Sequence, residues 1–137
     1  MNIIQHRFGV VNVVCTMDAG RPINLILSCM VTHGKIGMGV FPAHVSKCRF
    51  PQSTNCSFET GKVVNTGSTT FQSAMIGASS FIDRLSLELG YELEICNFKV
   101  QNIVGALNLG FHLNLDLLLH DRKELLVLVG SQAHFQV

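Results

Sequence analysis

Residues 41–67, FPAHVSKCRFPQSTNCSFETGKVVNTG, decide the fold of this chain. Apolar and aromatic side chains alternate loosely with polar ones along this stretch, which predicts β-strands. Pro51 interrupts the alternation once, and the sequence ETGK at residues 59–62 interrupts it again, where turns are expected. The stretch is therefore predicted to form three strands joined by two turns.

Alternation along the strands places two sets of side chains on one side of the predicted hairpin. Each set holds every second residue of its strand: Thr54, Cys56 and Phe58 in the first, Lys62, Val64 and Thr66 in the second. That side carries an aromatic ring at its edge, a lysine and several small side chains. The mixture is more typical of a contact surface than of a core.

The composition indicates one domain with an unusually apolar surface. The chain has 137 residues, of which 14% are charged, whereas about 25% is usual for soluble domains. Either much of such a surface faces a partner, or the chain is a piece of something larger. The longest apolar run, residues 125–129, is far shorter than the ~20 residues of a membrane span. No signal peptide is visible at the start of the chain, so we expect neither membrane association nor secretion.

Several chemical functions have no support in the sequence. Five cysteines form an odd set without a C-x-x-C pair, which argues against a disulfide framework or a zinc site. The six histidines show no metal-ligand spacing, and no G-x-S-x-G nucleophile motif or phosphate-binding loop occurs. We therefore predict no catalytic residue, no metal and no cofactor. The net charge of +1 is low for a nucleic-acid-binding protein.

The remaining sequence predicts two helices and two more strand regions. Residues 7–16 read as a strand, and Asn24 is a candidate N-cap for a short helix over residues 25–31. A glycine-rich connection is expected at residues 33–39. Ser68 or Thr69 is predicted to cap a long helix that ends at Gly90, and residues 91–94 are predicted to begin the next strand region. The long helix has an apolar stripe formed by Phe71, Ala74, Met75, Ala78, Ile82, Leu85 and Leu89.

The chain also repeats itself. With a shift of 90 positions (102 − 12), the pattern F-x-V-x-N-x-V at residues 8–14 overlays residues 98–104, and Gly20 overlays Gly110. Asn24 and Leu25 likewise overlay Asn114 and Leu115. These matches predict a first repeat over residues 1–90 and an incomplete second repeat over residues 91–137.

The repeat, together with VQNIVG at residues 100–105 and GKVVNTG at residues 61–67, resembles the TATA-box-binding protein family. The resemblance covers residues 8–134. It implies an α+β saddle, in which a curved antiparallel sheet carries helices on its convex face and a direct repeat of about 90 residues forms the two halves. It also implies that the concave face binds the minor groove of A/T-rich double-stranded DNA and bends it.

Carried over to this sequence, the family pattern implies a set of DNA-binding residues. Asn12, Val14, Asn102 and Val104 would meet base edges, and Phe41 and Phe58 would insert between base steps as a wedge pair. A basic residue that meets phosphate matches Lys47, with Arg49 two positions on. The full predicted set is Asn12, Val14, Phe41, Pro42, Lys47, Arg49, Thr54, Phe58, Lys62, Val64, Thr66, Asn102 and Val104.

The second repeat departs from that pattern, because Ser131 and Gln132 stand where Phe41 and Pro42 stand in the first. The chain thus has one complete wedge pair. By alternation, Asn55, Ser57 and Asn65 are predicted on the helix-packing face, where the family is usually apolar. The resemblance further implies a factor-IIB-like protein and RNA polymerase as partners, and the nucleus or a viral replication compartment as the location. If the natural chain ends at Val137, we expect self-association.

Two other functions remain open on the sequence. The chain could be an interaction module of the same fold that has lost DNA binding, or a repeat-fold domain attached to a nucleic-acid enzyme. Taken without the repeat, the asparagines at positions 12 and 102 could be ordinary polar residues at strand ends, and Phe41 and Phe58 could be core aromatics.

Overall fold

The computed structural model describes residues 8–32, 34–37, 42–112, 114 and 116, together with the backbone of residues 135–136. Phe41 of the predicted wedge pair, and Ser131 and Gln132 of the second repeat, lie outside the described residues. The described part of the chain forms one antiparallel sheet with two helices. Its elements are β1 (Phe8–Asp18), α1 (Leu25–Thr32), β2 (Lys35–Gly37), β3 (Ala43–Arg49), β4 (Gln52–Phe58), β5 (Lys62–Ser68), α2 (Phe71–Leu89), β6 (Cys96–Leu107) and β7 (Phe135–Gln136).

The sheet is curved, and its strand order is β2-β3-β4-β5-β1-β6-β7. Both helices pack on the convex face and leave the concave face without a covering element in the described part of the chain. The predicted α+β saddle is thereby confirmed. The predicted alternation is also present, since Val13, Cys15 and Met17 are buried under the helices while Asn12 and Val14 are only half-buried.

The core lies between α2 and the strands β1 and β5. Burial of this apolar cluster is what holds the long helix on the sheet. Its fully or almost fully buried members are Met17, Ala19, Ile23, Val63, Ala78, Phe81, Ile82, Leu85, Leu89 and Leu93. The predicted stripe of α2 is largely confirmed, but Phe71 is 56% exposed, and its ring meets that of Phe98 in a T-shaped contact with 5.7 Å between centroids. Phe81, which the stripe did not include, takes a place in the core.

The N-terminal end of α2 differs from the prediction. Thr70 is the N-cap, and its backbone is extended. Its hydroxyl accepts a hydrogen bond from the Ser73 backbone amide at 3.0 Å, and Ser73 Oγ accepts one from the Thr70 backbone amide in return. The prediction of Ser68 or Thr69 was wrong, because Ser68 is the last, buried residue of β5 and its hydroxyl donates to the Gln52 carbonyl. Gly90 ends the helix in the left-handed conformation, as predicted.

Two further segments differ from the prediction. Residues 91–95 form no strand, and β6 begins only at Cys96. The Tyr91 hydroxyl instead accepts a hydrogen bond from the backbone amide of Asn24, and the Arg21 guanidinium lies 4.7 Å from the centre of the Tyr91 ring. The ring therefore lies at the N-terminal end of α1. Residues 35–37 were predicted as a connection but form β2, because the edge of β3 offers hydrogen-bond partners to that short segment.

The first strands of the two predicted repeats, β1 and β6, lie side by side and antiparallel. Gly20 and Gly110, which the repeat aligns, both have positive φ values of 76° and 72°. Asn24 caps α1 as predicted, since its Oδ1 accepts the Leu27 amide at 3.0 Å. The division of the chain into repeats at residue 90 stays a prediction.

Candidate nucleic-acid interface

The centre of the concave face is a crosswise set of four side chains. In the β1–β6 pair, Asn12 lies opposite Val104, and Val14 lies opposite Asn102. Because the two strands run antiparallel, the arrangement is close to two-fold symmetric, with one amide and one apolar side chain on each side. All four side chains are half-buried rather than covered. The structure therefore brings these four predicted residues together.

Asn12 is held in one orientation by β5. The register between β1 and β5 shifts near Val13, so that Thr66 and Gly67 form an irregularity in β5 beside Asn12. There the Thr66 hydroxyl and the Gly67 amide both donate to Asn12 Oδ1, at 3.1 Å and 2.8 Å. With its carbonyl oxygen occupied, the Asn12 side chain can offer its NH₂ group as a hydrogen-bond donor to a ligand.

The motif GKVVNTG owes its two glycines to backbone geometry. Gly61 has φ +91°, and a Cβ there would lie 2.4 Å from the Arg21 carbonyl oxygen. The close approach lets the β4–β5 turn dock on the end of β1, where the Ala19 amide donates to the Gly61 carbonyl at 2.8 Å. Gly67 has φ +94° at the irregularity that holds Asn12. The motif thus positions both Lys62 and Thr66 on the concave side.

The remaining predicted residues follow the strand registers. Thr54 lies opposite both Lys47 and Thr66, and Arg49 lies opposite Gln52 at the end of the β3–β4 hairpin. Val64 lies opposite Cys56 in the middle of the sheet. Phe58 is half-buried at the end of β4, opposite Ala43, and Pro42 is exposed just before β3. Apart from Phe41, all members of the predicted set are among the described residues.

Two lysines that sequence analysis missed also border the concave face. A continuous row of paired residues crosses the sheet from β2 to β6: Lys35, Val45, Cys56, Val64, Thr16 and Lys99. Both ends of the row are lysines, and both are exposed. The row could not be found from sequence, since it depends on the registers of five strand pairs.

The interior of this row is neutral. Burial raises the pKa of the Cys56 thiol, so the middle of the face carries no thiolate. The Gln101 amide donates to the Thr16 hydroxyl at 2.8 Å, which ties β6 to β1 beside Lys99. Asp18, an acidic residue, also stands at the margin, where it lies opposite Lys62 and accepts a hydrogen bond from the Asn97 side-chain amide. Positive charge therefore lies around a neutral centre.

Below β3, β4 and β5, the helix-packing face is polar. Asn55, Ser57 and Asn65 are fully or almost fully buried there, as predicted by alternation. The side-chain amide of Asn65 donates a hydrogen bond to Asn55 Oδ1 at 2.8 Å. Among the described residues, Asn55 Nδ2 and Asn65 Oδ1 have no hydrogen-bond partner. His44, also buried, lies opposite Ser57. These buried polar side chains fix the register of the strands by hydrogen bonding, where other proteins use apolar packing.

The described residues contain neither a cluster of metal-ligand side chains nor a helix that could cross a membrane. Within residues 8–32, 34–37 and 42–112, with 114 and 116, no group of three or more His, Cys, Asp or Glu side chains is placed to hold a metal ion. All five cysteines are free thiols. In the same part of the chain, no helix combines the length and the apolar character needed to cross a membrane.

Comparison with protein families gives a match over more than half of the chain. The model of the family described as "Transcription factor TFIID (or TATA-binding protein, TBP)" matches residues 7–87. These residues contain β1 to β5, α1 and most of α2. The match therefore includes the GKVVNTG motif and the strand that carries Asn12.

Individual relatives agree with that match. The TATA-box-binding protein of Tetrahymena thermophila is 28% identical over 114 residues, which are 82% of this chain and 46% of that protein. A TBP-related factor of Drosophila melanogaster is 28% identical over 117 residues, 85% of this chain and 52% of that protein. The chain thus spans about half the length of the curated relatives it matches.

A solved structure shows the same fold. The TBP of Methanococcus jannaschii superposes with a TM-score of 0.66 at 26% sequence identity, over 82% of this chain and 65% of that one. The similarity in backbone agrees with the family match in sequence.

Proposed function

Because the chain belongs to the TATA-binding protein family, we propose that its concave face binds the minor groove of A/T-rich double-stranded DNA and bends it. In this proposal the protein is a general transcription initiation factor that recruits a factor-IIB-like protein and RNA polymerase. It acts in the nucleus or in a viral replication compartment. Its sequence divides into a first repeat, residues 1–90, and an incomplete second repeat, residues 91–137. The proposal assigns no catalytic residue, metal or cofactor.

The single observation that carries the proposal is the oriented amide of Asn12. Its carbonyl oxygen accepts two hydrogen bonds from β5, which leaves NH₂ donors for a ligand. The minor groove at A·T and T·A pairs offers only acceptors, adenine N3 and thymine O2, whereas a G·C pair adds a donor. A fixed donor flanked by the small apolar side chains of Val14 and Val104 is complementary to the first pattern and not to the second.

The rest of the face supports bending. Phe58 stands partly exposed at the end of β4, and an inserted aromatic ring unstacks a base step at a cost of a few kcal/mol. That cost is offset when a bent duplex covers more of the protein surface. Lys35, Lys47, Lys62 and Lys99 lie around the neutral centre, where they can meet phosphates on either side of the groove. Sequence preference would then follow largely from how easily the DNA deforms.

A second candidate function is an interaction module of the same fold without DNA binding. The net charge of +1 favours it, because nucleic-acid-binding domains usually carry a clear basic excess. The exposed apolar side chains of α1, Ile26 and Met30, also favour a protein contact on the convex side. The two functions differ in whether the concave face binds DNA.

Equilibrium binding to three duplexes separates them. The duplexes share one length and differ in a central tract of A·T, G·C or I·C pairs; inosine lacks the 2-amino donor of guanine, so I·C matches A·T in the minor groove. We expect the A·T and I·C duplexes to bind at least tenfold more tightly than the G·C duplex, at several salt concentrations. Equal affinity for all three, or no binding, would refute the proposal.

Asn12→Asp is the sharpest variant for this experiment. Asp keeps the two hydrogen bonds from Thr66 and Gly67, but it replaces the NH₂ donor by a charged acceptor facing the acceptors of the groove. We expect thermal stability close to that of the unchanged protein and a loss of more than tenfold in affinity for the A·T duplex. Gln72→Glu, which adds the same charge at an exposed position of α2 on the convex side, serves as the control for charge alone.

A further inference from the structure

Phe50 is the most exposed large apolar side chain of the described residues, with 90% of its surface accessible. It occupies the two-residue turn between β3 and β4, beyond the last pair of that hairpin, Arg49 and Gln52. An aromatic ring at the tip of a hairpin buries nothing in the protein itself. Its position therefore requires an explanation other than packing.

The tip of the β3–β4 hairpin is held in place by α2. Pro51 and Ser53 pack on α2 at Gly77, where an added Cβ would lie 2.7 Å from Ser53 Oγ and 3.6 Å from Pro51 Cγ. Ser53 is almost fully buried, and the Cys48 thiol donates to the Phe50 carbonyl at 3.6 Å. The glycine lets helix and hairpin approach closely, so the chain on both sides of Phe50 is fixed while its ring faces solvent.

The charge of the hairpin identifies the kind of partner. Residues 42–58 contain no Asp or Glu, and their charged side chains are Lys47 and Arg49. Both are exposed on the same side of the sheet as Thr54 and Phe58, because they alternate with the buried His44 and Ser46. The tip of the hairpin thus presents a guanidinium and, at the next residue, an exposed aromatic ring, and residues 42–58 add no acidic group. Such a tip is complementary to a ligand that combines anionic and apolar parts.

We propose that Arg49 and Phe50 form an additional contact with the sugar–phosphate backbone of the same DNA, outside the groove. Arg49 binds a phosphate, and the ring of Phe50 packs on the adjoining deoxyribose. The inference rests on the proposed function, since only a duplex bent around the saddle brings its flank towards the tip of this hairpin. It adds Phe50 to the DNA-binding residues that the family resemblance implies.

The test compares Phe50→Ser with Leu87→Ser on two A/T-rich duplexes. Leu87 is the matched control, because it is 83% exposed on α2, on the opposite side of the sheet. One duplex covers the groove contact alone, and the other extends well beyond it on both sides. On the long duplex we expect Phe50→Ser to weaken binding about fivefold, as part of an aromatic side chain returns to water. On the short duplex, and for Leu87→Ser on both, affinity stays unchanged.

Arg49→Ala gives the second readout. Removing one phosphate contact lowers the slope of log affinity against log salt concentration by about one. Because Arg49 also belongs to the DNA-binding residues that the family resemblance implies, we expect this loss to be larger on the long duplex than on the short one. If the unchanged protein binds neither duplex, the proposed function fails. If it binds both and Phe50→Ser behaves as Leu87→Ser does on the long duplex, the function stands and the contact at Phe50 is overturned.

Discussion

At the scale of single residues, His44 shows how a polar side chain is accommodated between helix and sheet. The Thr32 hydroxyl donates to the Ser28 carbonyl at 2.7 Å, so its oxygen accepts from His44 Nε2, also at 2.7 Å. On the other side of the ring, Nδ1 accepts from the Ser57 hydroxyl at 3.1 Å. Neutral His44 therefore has both ring nitrogens satisfied, in the tautomer that carries its proton on Nε2.

The surroundings of His44 disfavour its charged form. The ring is buried and stacks on Phe81 at 6.1 Å between centroids, and Arg84 lies near it on α2. Burial first, and the positive charge of Arg84 second, lower the pKa of His44 from its usual value of 6.5. The unfolded chain thus takes up this proton at a higher pH than the folded protein does.

The sign of the resulting pH dependence follows. Stabilisation by neutral His44 is complete above pH 6.5 and decreases as the pH falls from 6.5 towards the lower pKa of the folded protein. Within that window His44 changes the free energy of unfolding by up to about 1.4 kcal/mol per pH unit. Urea unfolding at pH 7.5, 6.5 and 5.5 measures the change. We expect His44→Val to remove this contribution to the slope and His112→Gln, at an exposed position, to keep it. Equal slopes for the two variants would contradict the assignment.

The sequence predicts which side of the sheet a residue faces better than what it meets there. Alternation alone placed Asn55 and Asn65 under the helices, because strand periodicity is local. Their hydrogen bond, and that of His44 with Ser57, depend on the registers of β3, β4 and β5, which join residues far apart in sequence. The same limit explains why Lys35 and Lys99 were missed at the rim of the candidate interface.

At the scale of elements, the β4–β5 turn shows what one glycine does. Gly61 has a positive φ and lies against the Arg21 carbonyl. An alanine there would adopt an unfavourable backbone conformation, and its Cβ would also clash with that carbonyl. We expect Gly61→Ala to lower the free energy of unfolding by about 2 kcal/mol or more. Chemical denaturation measures the loss. Gly9→Ala is the matched control, because nothing lies within 4 Å of a Cβ at that position. A loss of the same size in both variants would rule out the close approach as the cause.

Element types were predictable where the local signal is strong. The periodicity of α2 and its stop at Gly90 follow from residues within the helix itself. Its start did not follow, since Ser68, Thr69 and Thr70 are all suitable caps. Pairing of Ser68 with Val13 of β1 excludes the first, and the reciprocal hydrogen bonds with Ser73 mark Thr70 as the cap. Residues 35–37 become β2 only because β3 lies beside them, and residues 91–95 are drawn out of the sheet by the contacts of Tyr91.

At the scale of the whole molecule, the repeat in sequence corresponds to a near two-fold arrangement in space. Asn12 and Asn102, 90 positions apart, lie on adjacent antiparallel strands, each opposite the valine of the other. The fold class was predictable through the resemblance to the TATA-box-binding protein family that this repeat and the GKVVNTG motif carry. The target of the concave face stays a prediction, since a face of amides, valines and threonines can serve more than one kind of partner.

Bending of DNA tests the central claim most directly. Two dyes at the ends of a short A/T-rich duplex report the end-to-end distance by energy transfer, with protein at saturating concentration. We predict a clear rise in transfer on binding, a smaller rise for saturated Phe58→Ala, which lacks the inserted ring, and no rise for a G·C duplex. A duplex that is bound at saturation with its end-to-end distance unchanged would contradict the account.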